Sequence, residues 1–330
     1  MILLLASFLR FQGLRERGLL FWDEGKFSLE GMRLLGLFQS HPVFNSTHLI
    51  GKAIGTAKPT HALFIAAAYA LLGVHDYSPL MMSAAASVLQ VLVLVLLIRR
   101  LFGTPVALIA GTFLAISAYD VVYARSALSE SDANLLFLLG VLVWWRASAW
   151  KPRSAAGYAC ASLLMGIAFT TNYRILVYIA TLVAIDLIWS WRQRGARAAM
   201  LSIPIWVAGL VCVPALWQLG GLIAQAHGII LFRGEITYRP TGYLNEVVYQ
   251  LRGGRQSGFQ FNPARYVQWY VVRQGWPLSL LLLGGLVIAG IKRSRAWVTP
   301  ALLVAIPFAV YTFAPIVVPR NLDTTLPFTA

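Results

Sequence analysis

Two adjacent carboxylates stand out in Phe21-Trp22-Asp23-Glu24-Gly25-Lys26-Phe27-Ser28, because the 330-residue chain holds only 12 acidic residues against 27 basic ones. A carboxylate of this kind can take the proton from a hydroxyl as that hydroxyl attacks. Cations can then stabilise charge on a departing phosphate. A third candidate acid, Asp132, lies in Tyr123-Ala124-Arg125-Ser126-Ala127-Leu128-Ser129-Glu130-Ser131-Asp132-Ala133. Arg233, Arg239, Arg252, Arg255, Arg265 and Arg273 outnumber Glu235 and Glu246 in one later segment. Guanidinium groups beside aromatic rings suit phosphate and sugar recognition, and equally the binding of anionic headgroups.

Each acid also has a plainer reading. Asp23 ahead of a helix is a good N-cap, and Glu24 a first-turn acid favoured by the helix dipole. Asp132 opens an apolar run in the same way. Arg125 suits a headgroup contact or an ion pair with Asp120, Glu130 or Asp132. No GxxxxGK[ST] loop is present to bind a nucleotide. A group already carried on a lipid phosphate would bring its own leaving group and need none.

The elements that must position these residues are membrane helices. The chain is 58% hydrophobic and 12% charged, with a mean hydropathy of +0.70, about half the charge of a soluble domain. Spans are expected at about 80–98, 104–119, 133–147, 155–171, 174–191, 200–218, 276–291 and 297–314, with another starting near Thr325. Arg99-Arg100, Arg146 with Lys151 and Arg153, Arg192 with Arg194 and Arg197, and Lys292 with Arg293 and Arg295 fall in every second connection. Those connections are expected to be cytoplasmic. The first outer loop is then 10–79 and a long outer loop 219–275, and of the 12 acids only Asp186 falls within a span. Pairing of Asp186 with Arg192 or Arg194 is the simplest account of it. The net charge of +15 is spread between apolar runs, so the anionic partner expected is lipid and not nucleic acid. Cys160 and Cys212, both in apolar runs, read as packing residues.

Within the outer segments, Phe27, Gly31, Leu34, Leu35 and Phe38 recur at helical spacing opposite Lys26, Glu30 and Arg33, which predicts an amphipathic helix on the membrane surface. The run 61–74 is too short to span and reads as an interfacial or re-entrant helix. Leu244, Val247, Val248 and Leu251 form one helical face closed by Gly253-Gly254, and Asn262-Pro263 reads as a cap with proline at the first helical position. Met1–Leu9 is too short to span before Arg10. Either the native chain begins upstream or this helix is incomplete, and nothing in it resembles a signal peptide.

Taken in order, WDEGKFSLEGM, KPTHALFIAAAYALLG, RRLFG, YARSALSESDANLLF and PRNLDTTLPF resemble the polyprenol-phosphate-dependent GT-C glycosyltransferases, in the branch of aminoarabinose transferases and protein O-mannosyltransferase-like enzymes. The resemblance covers about the first 175 residues closely and the rest loosely. It implies an all-α, polytopic integral membrane protein of GT-C fold over 1–330, with about nine or ten spans plus outer-face interfacial helices. It implies an inverting transfer of a sugar from a polyprenyl-phosphate donor to a lipid, glycan or protein, at a site facing away from the cytoplasm in the cell (inner) membrane. Asp23 would be the catalytic carboxylate, Glu24 its support, and Asp132 part of the donor or acceptor site. Lys58 would contact the lipid phosphate, with Arg125, Arg255 and Arg320 as further donor-binding residues. Some relatives hold a divalent ion, for which His41, His48 and His61 are outer-side candidates without ligand spacing. The chain departs from the family in Lys-Pro-Thr for Lys-Pro-Pro and Arg-Asn-Leu for Arg-Tyr-Leu, and in its shorter length. A lipid or solute transporter and a non-catalytic lipid-phosphate-binding relative are the competing readings.

Overall fold

The computed structural model describes residues 1–39, 57–149, 154–228, 230–232, 241–252, 263–313 and 319–329, and these form helices with no strand among them. In chain order the helices are α1 (Ile2–Phe11), α2 (Leu14–Arg17), α3 (Trp22–Gln39), α4 (Pro59–Leu72), α5 (Tyr77–Phe102), α6 (Thr104–Ile116), α7 (Ala118–Ala124) and α8 (Glu130–Ala149). They continue as α9 (Ala155–Thr171), α10 (Leu176–Arg194), α11 (Ala196–Ala226), α12 (Tyr243–Leu251), α13 (Pro263–Gln274), α14 (Trp276–Lys292), α15 (Arg295–Thr312) and α16 (Leu326–Thr329). Two 3-10 turns, Tyr173–Ile175 and Pro319–Thr325, precede α10 and α16.

All eight complete spans expected from hydropathy coincide with helices. Among the described residues, four helices are long and apolar enough to cross a bilayer: α5, α11, α15, and α10 with the 3-10 turn before it. A fifth would be α6 with α7, a pair bent by 60°. The others expected as spans are shorter or carry acids at their first turn, so among the described residues length and composition alone pick out four or five crossings. The bend falls at Ser117, whose hydroxyl accepts from the Asp120 N–H and caps α7. Arginines fill the last turns of α5 and α10, where they complement the helix dipole. Gly103 and Gly195 stop these helices with φ of 89° and 85°, a conformation that only glycine adopts without strain.

Close packing comes from small residues. A Cβ on Gly209 of α11 would sit 1.9 Å from Ser162 Oγ of α9, and one on Gly166 would sit 2.6 Å from the Gly209 carbonyl oxygen. Without a hydrophobic drive between helices in lipid, such backbone approach is what holds membrane helices together. Asp186 does not pair with Arg192 or Arg194. Its Oδ1 accepts from Trp144 Nε1 and the Tyr158 hydroxyl, and its Oδ2 from Trp206 Nε1, so one buried carboxylate ties α8, α9 and α11 to α10. Cys160 and Cys212 are free and exposed on the apolar outside of the bundle rather than packed in its core. A membrane helix can turn an apolar side chain outward at no cost, because lipid replaces water there.

The segment before α5 is docked and not peripheral. Phe27, Leu34 and Leu35 of α3 share a core with Ala62, Ile65, Ala66 and Tyr69 of α4. Gly31 permits this approach, since a Cβ there would meet Ile65 Cγ2 at 2.4 Å. Glu30, expected on the polar face of α3, is buried with that core. Helix α4 also packs on α5 and α9, which accounts for a short helix that is apolar on all sides. In α12 the buried side is Tyr243, Glu246 and Val247, while Leu244, Val248 and Leu251 face outward, so of the expected apolar face only Val247 reaches the core.

Candidate active site at the start of three helices

The first turn of α3 carries the Asp23-Glu24 pair. Helix α3 begins at Trp22, so Phe21 is in the N-cap position and Asp23 lies inside the helix, partly exposed. The capping is done by Glu24. Its Oε2 accepts from the Leu20 and Phe21 N–H groups at 2.6 and 2.8 Å, which is the reciprocal half of a capping box. Its Oε1 accepts from Arg17 and from the Ala127 N–H, both at 3.0 Å. Glu24 is fully buried, and so joins the entry to α3 to the turn before α8.

The first turn of α4 supplies the second group. Proline at the first helical position lacks an N–H that would have had no helical partner anyway. Ahead of it, buried Lys58 donates to Ser129 Oγ at 2.7 Å and lies 4.9 Å over the Phe27 ring. His61 is fully buried, with Nδ1 2.8 Å from Asp132 Oδ2 and Nε2 3.2 Å from the Ala127 carbonyl oxygen. Its ring meets Phe27 edge-on at 5.1 Å. Thr60 is bonded to Thr170 of α9 at 2.7 Å and receives a bond from Trp217 of α11 at 3.0 Å, which fixes the turn against the bundle.

The third group is residues 125–132, leading into α8. Arg125 donates to the carbonyls of Leu9 and Gln12 at 3.1 and 2.8 Å, closing the C-terminal end of α1. Its hydrogen bonds thus go to backbone and not to Asp120, Glu130 or Asp132. Asp120 pairs instead with buried Arg10 at 2.5 Å and accepts from Ser87 at 2.8 Å. Ala127, Ser129 and Asp132 meet Glu24, Lys58 and His61. The carboxylates and lysine expected to act together, Glu24, Lys58 and Asp132, are therefore linked through one eight-residue stretch.

A neighbouring polar cluster surrounds the other side of α8. Glu130 Oε1 lies 3.6 Å from Arg174 NH1. Asn134, one turn on, donates to Asp323 Oδ2 and accepts from the Thr324 hydroxyl, both at 2.6 Å. Asn321 donates to the Tyr266 hydroxyl at 2.8 Å, and its carbonyl accepts from Tyr178 at 2.9 Å. The residue that departs from the family's Arg-Tyr-Leu is thus used to hold the Pro319–Thr325 turn against α10 and α13. Burial, and then the carboxylates of Asp120 and Glu130, push the Asp323 pKa well above the ordinary carboxylate range, while its bond from Asn134 pulls it down.

Arg255, His41 and His48 lie outside the described residues, as does the Arg320 side chain. Among the described residues no three His, Cys, Asp or Glu side chains could hold a metal ion. The oxygens of Glu24 are taken by Arg17 and backbone, and Asp132 Oδ2 meets His61. His61, Glu130, Arg174, Asn134 and Asp323 are site neighbours that motif reading passed over or undervalued. Spacing carried part of the signal: His61 is one turn after Lys58, and Asn134 one turn after Glu130.

Residues 56–217 match the family model described as dolichyl-phosphate-mannose-protein mannosyltransferase. No curated protein sequence matches the chain. Among solved structures, ArnT from Cupriavidus metallidurans in the apo state superposes with a TM-score of 0.72 at 14% identity, over 99% of this chain and 57% of ArnT. The same enzyme bound to undecaprenyl phosphate gives 0.72 at 15% identity, over 99% and 57% of the two chains. The Archaeoglobus fulgidus oligosaccharyltransferase tethered to an acceptor peptide gives 0.54 at 12% identity, over 99% and 48%. The chain thus spans a little over half the length of ArnT and about half that of the oligosaccharyltransferase. The match over residues 56–217 is thus a likeness to the dolichyl-phosphate-mannose-protein mannosyltransferase family over just under half of the chain, and the helical architecture is that of the GT-C fold.

Proposed function

We propose that this chain forms the membrane-embedded site of an inverting glycosyltransferase, which moves a sugar from a polyprenyl-phosphate donor to a lipid, glycan or protein hydroxyl on the extracytoplasmic face. The observation that carries this reading is the convergence of α3, α4 and α8 on residues 125–132, through Glu24 with Ala127, Lys58 with Ser129, and His61 with Asp132. The binding of undecaprenyl phosphate by ArnT, which shares the fold, supports a lipid phosphate as partner.

In this reading Asp23 takes the proton of the acceptor hydroxyl as its oxygen attacks the anomeric carbon from the side opposite the phosphate. The bond from that carbon to the phosphate oxygen breaks, its electron pair leaves on the phosphate, and the configuration inverts. Lys58, with Arg320 and Arg255, stabilises the phosphate charge. Glu24 holds the α3 start and its Asp23 in place. Asp132, fixed by His61, shapes the donor or acceptor pocket, and Arg125 positions the same stretch by gripping α1. The basic connections in every second loop support a site facing away from the cytoplasm, and the reading sets it in the cell (inner) membrane. Asp186 argues against the transporter alternative, since its oxygens are occupied by two indoles and a phenol rather than offered to a pathway.

The test is Asp23→Asn in the full-length gene, read by mass spectrometry of lipid extracts and glycoconjugates. The expected result is loss of the glycosylated product and accumulation of a polyprenyl-phosphate sugar, with a folded protein in detergent. Full transfer by Asp23→Asn overturns the assignment, and lipid-phosphate binding by wild type without turnover favours a non-catalytic relative.

A further inference from the structure

We infer that Asp323 is a positioning residue, carried as a neutral acid, that clips the Pro319–Thr325 turn and its Arg320 onto the first turns of α8. The consequence for the lipid phosphate rests on the functional reading above; the state of Asp323 does not.

The argument begins with charge pairing. The carboxylates of Asp120 and Glu130 both approach Asp323 closely enough to act on it, and all three are buried. Asp120 of α7 has the guanidinium of Arg10 from α1, and Glu130 of α8 has that of Arg174. Among the described residues, Asp323 has only the amide of Asn134 on one oxygen, and its Oδ1 has no hydrogen-bond partner. A buried carboxylate without a cation is costly to keep ionised, because nothing replaces the water it has lost. Protonation removes that cost, and two like charges nearby favour it further. The direction of the Asp323 shift agrees with this pairing.

The geometry around it shows what neutrality allows. Asn134 bonds both Asp323 and Thr324, so the turn is gripped at two successive residues. Tyr266 of α13 and Tyr178 of α10 hold Asn321, and Tyr311 of α15 donates to the Arg174 carbonyl. Among the described residues, the charged groups that act on Asp323 are Asp120 and Glu130, which are paired with Arg10 and Arg174. Ionised Asp323 would face two carboxylates and no cation of its own, and the turn would be pushed off α8.

The experiment uses the full chain in detergent or nanodiscs, as wild type, Asp323→Asn and Asp323→Ala. The first readout is the infrared spectrum of wild type minus Asp323→Asn near neutral pH, which is expected to contain one protonated carboxyl band that shifts in deuterium oxide. The second is undecaprenyl phosphate binding as a function of pH. Wild type is expected to bind about tenfold more weakly at alkaline pH, Asp323→Asn to stay flat within about threefold, and Asp323→Ala to be about tenfold weaker throughout. Absence of the band overturns the neutral acid. A flat wild-type profile, or an Asp323→Asn variant as pH-dependent as wild type, overturns the positioning role, and this arm stands even if Asp323→Ala does not fold. If wild type binds no polyprenyl phosphate at any pH, the functional reading and the Arg320 consequence fail together, and the band still decides the state of Asp323.

Discussion

His61 lies between two oxygens, with Asp132 Oδ2 2.8 Å from Nδ1 and the Ala127 carbonyl oxygen 3.2 Å from Nε2. A carbonyl only accepts, so Nε2 can meet Ala127 only as a donor, while Nδ1 faces the carboxyl group of Asp132. His61→Ala leaves a buried Asp132 without its partner and is expected to cost about 3–5 kcal/mol. Thermal unfolding in detergent measures this loss. Asp132→Asn keeps the shape and is expected to unfold nearer to wild type while transfer still falls.

Glu24 and Asp23 are expected to separate stability from chemistry. Glu24→Ala removes the acceptor of four hydrogen bonds, one of them from Arg17, and should lower stability by about 3–5 kcal/mol. Asp23→Asn should leave the melting temperature within a few degrees of wild type. Its transfer rate should fall by about a hundredfold or more, the usual worth of a general base. Paired melting and single-turnover measurements distinguish the two.

Arg10 and Asp120 form a buried pair at 2.5 Å, and Arg10 also donates to the carbonyls of Ala6, Leu114 and Ala115. Arg10→Met strands Asp120 and should destabilise by about 3–5 kcal/mol. Adding Asp120→Asn should recover part of that loss, because the stranded charge is gone. A double-mutant cycle of unfolding free energies checks the sign.

Gly31→Val tests the docking of α3 on α4. A Cβ at Gly31 would lie 2.4 Å from Ile65 Cγ2, and shifting either helix also moves Glu24 relative to Ala127. Overpacking of this kind costs about 1–3 kcal/mol. The expected result is a lower melting temperature together with weaker transfer, and pairing with Ile65→Ala should relieve both.

Asp323 predicts a stability slope with pH. Its folded pKa is raised by burial and by two carboxylates, so below the ordinary carboxylate range it is protonated in both states and costs nothing. Stability should then fall as pH rises from that range up to the raised value, where the folded state still holds a proton that the unfolded state has lost. Asp323→Asn should flatten that part of the profile. Unfolding midpoints across pH provide the measurement.

Much of the helical architecture was legible in residue order alone. Apolar length located the helices, arginines and glycines marked where α5 and α10 end, and Phe27, Leu34 and Leu35 named the buried face of α3, because burial in helices obeys a short local period. The acids were legible as a group but not in their roles. Glu24 caps α3 through its near neighbours Leu20 and Phe21, but Asp186 gathers indoles and a phenol, Arg125 grips α1, and His61 pairs with Asp132, and these three depend on partners tens of residues away. Asp323 is the extreme case, 189 positions from its Asn134 partner. Local spacing sets which face of a helix a side chain occupies; the charge state and partner of that side chain come from which helices are packed around it, and hydropathy carries no record of that choice.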